Sequence, residues 1–193
     1  TIDLNPQLTQ VGRGEPLEDT ARVLSRYCDA LAVRTFAQKE LIDYASWASI
    51  PVINALTDLE HPCQALADFL TLEEAVGSIQ GKTLTYIGDG NNVANSLMIC
   101  GSLLGVNIRI STPKGFEPKK SFIDKARSLS TFNATIEISN DPFECVKGAN
   151  AVYTDVWASM GQESEQIERQ KAFEGFCLNK KLQSHASKDA IVL

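Results

Sequence analysis

Two groups of residues in this chain have the types and spacing to do chemistry. The first is His61-Pro62-Cys63-Gln64, at the point where a loop enters a helix. Pro suits a first helical turn, because its missing N–H would find no partner there anyway. His61 and Gln64 are three apart and can face one site at the helix N-terminus. The unpaired N–H groups and the dipole at such an end suit a phosphate or a polarised carbonyl. Arg34 closes the apolar run DALAVR. A charged residue at the carboxyl end of a parallel strand lies where ligand groups bind. Arg34, His61 and Gln64 together make an anion and carbonyl site that needs no strong nucleophile or base. The bland alternatives are a structural histidine and a surface ion pair of little worth. The only other histidine is His185, and His61 has no Cys, Asp or His at metal spacing, so a zinc site is not expected.

The second group is split between a glycine-rich turn and a loop far along the chain. Gly88-Asp89-Gly90-Asn91-Asn92 follows the apolar run KTLTYI. Its placement invites a dinucleotide fingerprint, but the third glycine position is Val93 and no acidic residue ends the next strand. Asp89 would also oppose a pyrophosphate. Gly88 and Gly90 are better read as permitting a tight strand-to-helix turn. Asn91 and Asn92 then sit at a helix start, where free N–H groups and side-chain amides suit a carboxylate; the alternative is that one Asn only caps the helix. Asp155 leaves the run AVYT and opens Asp155-Val156-Trp157-Ala158-Ser159-Met160-Gly161. It can pair with an ammonium group that Ser159 and the backbone near Met160 would orient, or it can merely cap a turn. A carboxylate for an ammonium beside an asparagine for a carboxylate describes a site for a zwitterionic amino acid. Glu18 and Asp19 are adjacent on a helix, do not face each other, and read as a charge preference of the helix start.

The elements that would position these groups alternate. Thr1 to Leu4 reads as a strand end and Asn5 to Gly14 as a loop. A helix starts at Glu15-Pro16, and Leu17, Ala21, Leu24 and Cys28 recur at helical spacing. Strands are expected at 29–34, 50–54, 82–87, 106–110, 134–138 and 149–154, with further strand positions near Phe176 to Lys180 and at Ile191 to Leu193. Helices are expected at 38–47, from Pro62 to Val76, from Asn91 to about Leu104, from Glu117 to Leu129, from Asp141 to about Lys147, and from Gln162 to Phe173. Strands alternating with helices mean βαβ units and a parallel sheet. The expected fold is α/β: a three-layer, Rossmann-like parallel sheet of four or five strands over 77–193, preceded by a partial second α/β domain over 1–60 and joined to it by a linker helix over 61–76.

Bulk properties narrow the classes. With 44% hydrophobic residues in 193, the chain can bury a core and is not a disordered one. A formal charge of −6 without basic runs argues against nucleic acid and anionic membranes as partners. No apolar run is long enough to cross a bilayer. Five cysteines, Cys28, Cys63, Cys100, Cys145 and Cys177, contain no C-x-x-C pair and read as free thiols of a reducing compartment. The first residues have neither signal-peptide nor transit-peptide character, and because they do not open on Met a preceding stretch is expected.

Several stretches carry a resemblance over nearly the whole chain: Glu18 to Arg26 (EDTARVLSR), Asn54 to Asp68 (NALTDLEHPCQALAD), Ile87 to Asn92 (IGDGNN), TPKGFEP and TDVWASMGQE. The chain resembles ornithine carbamoyltransferases, and the last three stretches set it apart from aspartate carbamoyltransferases. The resemblance implies transfer of the carbamoyl group of carbamoyl phosphate to the δ-amine of L-ornithine, giving L-citrulline and phosphate. It implies that Arg34, His61 and Gln64 contact carbamoyl phosphate, with Arg34 and His61 polarising its carbonyl. It implies that Asn92, Asp155, Ser159 and Met160 contact ornithine. It further implies a homotrimer, no metal or cofactor, and a cytoplasmic location, or an organellar matrix if a transit peptide has been removed. The family's Ser-x-Arg-Thr phosphate loop and His-Cys-Leu-Pro segment do not occur in these residues, so the chain is expected to be truncated at both ends and to lack appreciable turnover by itself. A non-catalytic amino-acid-binding or interaction protein of the same ancestry is the alternative. An acceptor such as putrescine, which has no carboxylate, would leave Asn92 without a use.

Overall fold

The structure is a computed structural model that describes residues 1–5, 9–157 and 166–193. The chain divides into two compact units, Thr1–Cys63 and Gln64–Leu193.

In the first unit, α1 (Leu17–Leu24) and α2 (Gln38–Trp47) accompany two parallel strands, β1 (Leu31–Arg34) and β2 (Val52–Leu56). Leu31 pairs with Val52 and Arg34 with Leu56, with a shift of register between Val33 and Arg34. Its small core includes Ala21, Leu31, Leu41 and Leu56. Residues 1–4 are not a strand, and β2 lies two residues later than the sequence suggested. Pro51 explains the delay: its carbonyl accepts from Leu31 N, but its own nitrogen cannot join a ladder. Pro16 stands at the N-cap of α1 rather than within its first turn.

Helix α3 (Pro62–Val76) contains the division between the units. The second unit then runs β3 (Thr83–Ile87), α4 (Asn92–Leu104), β4 (Asn107–Ser111), α5 (Lys120–Ser128), β5 (Ile136–Ser139), α6 (Pro142–Val146), β6 (Ala151–Thr154), α7 (Gln166–Ala172), α8 (Lys180–Gln183) and β7 (Ile191–Val192). Its five strands form one sheet in the order β5-β4-β3-β6-β7, with every neighbouring pair parallel. Successive strand residues point to opposite faces. Leu84, Tyr86, Ile108, Ile110, Ala151 and Tyr153 face α3, α4 and α5, forming a core with Phe69, Leu72, Leu97 and Met98. Ile87 and Val152 face the other way, onto Val146 and Leu182 of α6 and α8. These are the three layers expected.

Two expectations fail here. Phe176 to Lys180 forms no strand: Phe176 and Leu178 pack as core residues against the second cluster, and the chain turns into α8 through the Asn179 cap. The helix expected from Glu117 begins only at Lys120. The residues before it fold back instead over the glycine-rich turn, where Gly90 N donates to Phe116 O at 2.8 Å.

That contact explains the second glycine of Gly-Asp-Gly. A Cβ on Gly90 would lie 2.3 Å from Pro118 N and 2.6 Å from Phe116 O. Backbone atoms cannot swing aside as a side-chain tip can. Gly105 serves a different need, ending α4 in a left-handed conformation at φ 77° with its N–H bonded to Gly101 O.

The same turn is tied to α7 by a buried ion pair. Arg169 Nη1 lies 2.8 Å from Asp89 Oδ2, with side chains 7% and 11% exposed. Arg169 also donates to Trp157 O at 3.1 Å and stands over the Phe116 ring at 5.1 Å. One guanidinium thus joins the turn after β3, the exit from β6 and the start of α7.

Two stability predictions follow from this packing. Gly90→Ala should cost about 3 kcal/mol, at the upper end of overpacking effects because the opposing atoms are backbone; urea denaturation checks it. Arg169→Met strands the Asp89 carboxylate and should cost roughly 3–5 kcal/mol, read by circular dichroism as a fall in Tm of roughly 10 °C.

Candidate functional site

In the first unit, Arg34 ends β1 and is exposed at its carboxyl end. The loops after β1 and β2 are stitched together beside it. Thr35 N donates to Leu56 O, Asp58 N to Phe36 O, and Gln38 N to Asp58 Oδ1 at 3.0 Å. Thr57 is fully buried; its hydroxyl donates to Gln38 Oε1 at 2.6 Å and its N–H to Glu60 O at 2.9 Å. This knot fixes the path of Thr57 to Glu60, which delivers half-buried His61, its Nδ1 shielded from solvent, to the start of α3. Arg34 and His61 therefore leave the same edge of one small sheet.

The second unit places Gln64, Asn92 and Asp155. Pairing of β3 with β6 sets Ile87 beside Thr154, so the glycine-rich turn and Asp155 emerge side by side. This is where the strand order reverses, with β4 and β5 built to one side of β3 and β6 and β7 to the other. Crevices at such reversals are the usual ligand positions of open α/β sheets. Asn91 is the N-cap of α4: its Oδ1 accepts from Val93 N at 3.0 Å and Ala94 N at 3.2 Å, while its Nδ2 donates to Asp155 Oδ2 at 3.0 Å. Of the two asparagines, Asn91 is the one committed to capping and to Asp155. Asn92 is half-buried and its Oδ1 accepts from Val93 N at 3.0 Å. Asp155 Oδ1 accepts from Val156 N at 2.7 Å. Ser159 and Met160 lie outside the described residues.

Beneath this edge lies a polar layer the sequence did not announce. Gln64 Nε2 donates to Asp68 Oδ1 at 2.8 Å, one turn along α3. Asp68 is 7% exposed and is hydrogen-bonded to the Tyr153 hydroxyl. Tyr153 stacks on Tyr86 with ring centres 5.7 Å apart, and Tyr86 Oη reaches Asn91 Oδ1 at 3.4 Å. The two tyrosines are register partners on β3 and β6. Burial first, then the charges of Asp155 and Asp89, pushes the Tyr86 hydroxyl well above its ordinary range, although its bond to Asn91 works the other way. Burial, the Asp68 charge and its hydrogen bond, and Asp155 push Tyr153 up likewise. Both hydroxyls therefore stay protonated at neutral pH. Burial, with the Asp68 charge second, raises the Cys100 thiol to about 11.

The electrostatic character of the second unit's site is acidic. Asp89 spends its charge on Arg169, while Asp68 and Asp155 press on neutral tyrosines. The charge of Asp89, which the sequence set against a pyrophosphate, is thus met by Arg169, and Asp68 and Asp155 are the remaining acidic groups at this edge. Among the described residues no group of three or more His, Cys, Asp or Glu is placed to hold a metal ion, and no helix is long and apolar enough to cross a membrane.

The sequence missed Asp68, Tyr86, Tyr153, Asn91 as a partner of Asp155, and Arg169. Asp68 had a local signal, since it stands four residues beyond Gln64 on a helix. The tyrosines each stand two residues before a turn or candidate site residue, at the carboxyl end of an expected strand. Asp89–Arg169 spans 80 residues and had no local signal.

Comparison with known proteins finds relatives over the whole chain. Residues 80–193 match the family model "Aspartate/ornithine carbamoyltransferase, Asp/Orn binding domain", and residues 1–74 match "Aspartate/ornithine carbamoyltransferase, carbamoyl-P binding domain". Over all 193 residues the chain is 69% identical to an ornithine carbamoyltransferase of Prochlorococcus marinus strain MIT 9313, covering 61% of it. It is 57% identical to one of Nostoc sp. strain PCC 7120, covering 63%. Among solved structures, ornithine carbamoyltransferase from Pyrococcus furiosus superposes with a TM-score of 0.92 at 48% identity, over 99% of this chain and 61% of that one. The enzyme from Gloeobacter violaceus gives 0.84 at 47% identity, over 92% of this chain and 60% of that one. The chain spans about three fifths of the length of the curated relatives it matches. On these matches, the chain belongs to the aspartate/ornithine carbamoyltransferase family.

Proposed function

We propose that the protein acts in the transfer of the carbamoyl group of carbamoyl phosphate to the δ-amine of L-ornithine, giving L-citrulline and phosphate. The observation that carries this is the juxtaposition at the β3–β6 edge: Asp155, held by the Asn91 cap, beside the start of α4 where Asn92 stands. An acid for an ammonium next to a helix N-terminus for a carboxylate is a receptor for an amino acid. The names of the relatives supply the acceptor, since those reported above are ornithine carbamoyltransferases. In this reading residues 1–60 form the carbamoyl-phosphate side, 61–76 the linker helix and 77–193 the ornithine side.

The δ-nitrogen of ornithine attacks the carbamoyl carbon as a neutral amine. A C–N bond forms, the C–O bond to phosphate breaks, and the nitrogen sheds its proton as phosphate leaves. Arg34 and His61 draw charge onto the carbonyl oxygen and Gln64 holds the carbamoyl group. Asn92 receives the ornithine carboxylate, and Asp155, with Ser159 and Met160, holds the ammonium and aims the amine. Rate then comes from proximity and from preorganised charge rather than from a covalent intermediate. No metal or cofactor is required. We place the protein in the cytoplasm or an organellar matrix, assembled as a homotrimer.

Citrulline formation by the protein at its full natural length tests the reading. Failure to form citrulline, with ornithine still bound in calorimetric titration, would leave the non-catalytic amino-acid-binding alternative. Asp155→Asn should lower kcat/KM for ornithine by about 10- to 100-fold, the worth of one charge-assisted hydrogen bond, and leave affinity for carbamoyl phosphate unchanged. The 193 residues expressed alone should show no appreciable turnover; a rate close to that of a full-length relative would contradict this.

A further inference from the structure

We propose that Asp68 is a positioning residue that fixes the orientation of the Gln64 amide, so that Gln64 presents its carbonyl oxygen, and not its NH2, to the carbamoyl group. The inference rests on the reading of Gln64 as a contact of carbamoyl phosphate. Its physical basis is the chemistry of the two groups. A carboxylate only accepts hydrogen bonds, whereas an amide has one end that donates and one that accepts. With Asp68 Oδ1 2.8 Å from the Gln64 amide, the end facing Asp68 must be the NH2. The Tyr153 hydroxyl also lies close enough to Asp68 for the carboxylate to raise its titration. Tyr153 is in turn 8% exposed and packed against Tyr86. The acceptor is therefore buried to 7% exposure, while Gln64 remains half-buried at the helix start. The raised thiol of Cys100 shows the Asp68 charge reaching its other neighbours as well.

The consequence is selectivity. A carbamoyl group ends in NH2 and donates to the fixed Gln64 oxygen. Acetyl phosphate has nearly the same shape but ends in CH3, and would strand that oxygen without a partner. An amide free to turn would relax from the misfit and lose part of its grip on the correct ligand. A polar group built to meet one partner rejects an analogue lacking it more strongly than shape alone does. Asp68 thus converts an ambivalent amide into a directional one.

The test measures affinities of the full-length protein for carbamoyl phosphate and acetyl phosphate by calorimetric titration. Asp68→Leu combined with Tyr153→Phe removes the acceptor and its second donor together, which spares the fold an orphaned hydroxyl. Tyr153→Phe alone is the control. The preference for carbamoyl over acetyl phosphate should shrink about tenfold in the double variant, the factor one such hydrogen bond provides, and change by less than about twofold in the control. A wild type that binds neither phosphate overturns the proposed function itself. A wild type that prefers carbamoyl phosphate, with a double variant that keeps the same preference, overturns the role of Asp68 alone. Should the double variant not fold, a crystal structure of the wild type with phosphonoacetamide decides: the Gln64 amide should remain within hydrogen-bond distance of Asp68 while touching the ligand's NH2, and an amide that has left Asp68 overturns the proposal.

Discussion

The parallel pairing of β3 with β6 is the constraint on which the second unit's candidate site depends. It joins strands that are neighbours in the sheet but not consecutive in the chain, because β4 and β5 are laid down on the far side of β3 before the chain returns. Three results come from that single pairing. The glycine-rich turn and Asp155 emerge together. Tyr86 and Tyr153 become partners in register and stack. Asn91 can reach Asp155 while still capping α4. Each rests on strand geometry, in which a residue's face and neighbour are decided by register.

Charge is handled differently on the two sides of that pairing. Asp89 is buried against Arg169, and the pair is best understood as fastening the turn, β6's exit and α7, not as a source of large net stability. Asp155 meets instead a neutral amide and a backbone N–H. An amide partner holds a carboxylate in place without cancelling it, which suits a group meant to attract a cation.

Much of this was legible in the residues. Alternation of apolar runs gave the βαβ order and the linker helix, and the departure of Val93 from a dinucleotide fingerprint was informative by itself. Asp89 was recognised as hostile to a pyrophosphate, but its true partner lay 80 residues away on a helix that reads as a charged surface element. Arg169 is 6% exposed there, because its long stem and planar head fill space between Phe116 and Trp157. Local pattern cannot rank one arginine among several polar neighbours. For the same reason Phe176 and Leu178 looked like a strand: alternation shows that two residues are buried, and not whether a ladder or a loop buries them. Which asparagine caps α4 depended on where the helix begins, and a boundary shifted by one residue would have given the cap to Asn92.

The long reach of the Asp89–Arg169 pair has a bearing on how the molecule is made. Neighbouring strands such as β3 and β4 close over short stretches of chain and can assemble early. Contacts that span many residues carry a larger loop-closure cost and tend to form later. The Asn91–Asp155 and Asp89–Arg169 bonds, at separations of 64 and 80 residues, belong to that late class. The site therefore rests on contacts that carry the larger closure cost. The β3–β6 pairing is of the same long-range kind, so a chain holding only β3 beside β4 would still keep the acidic groups of the site apart.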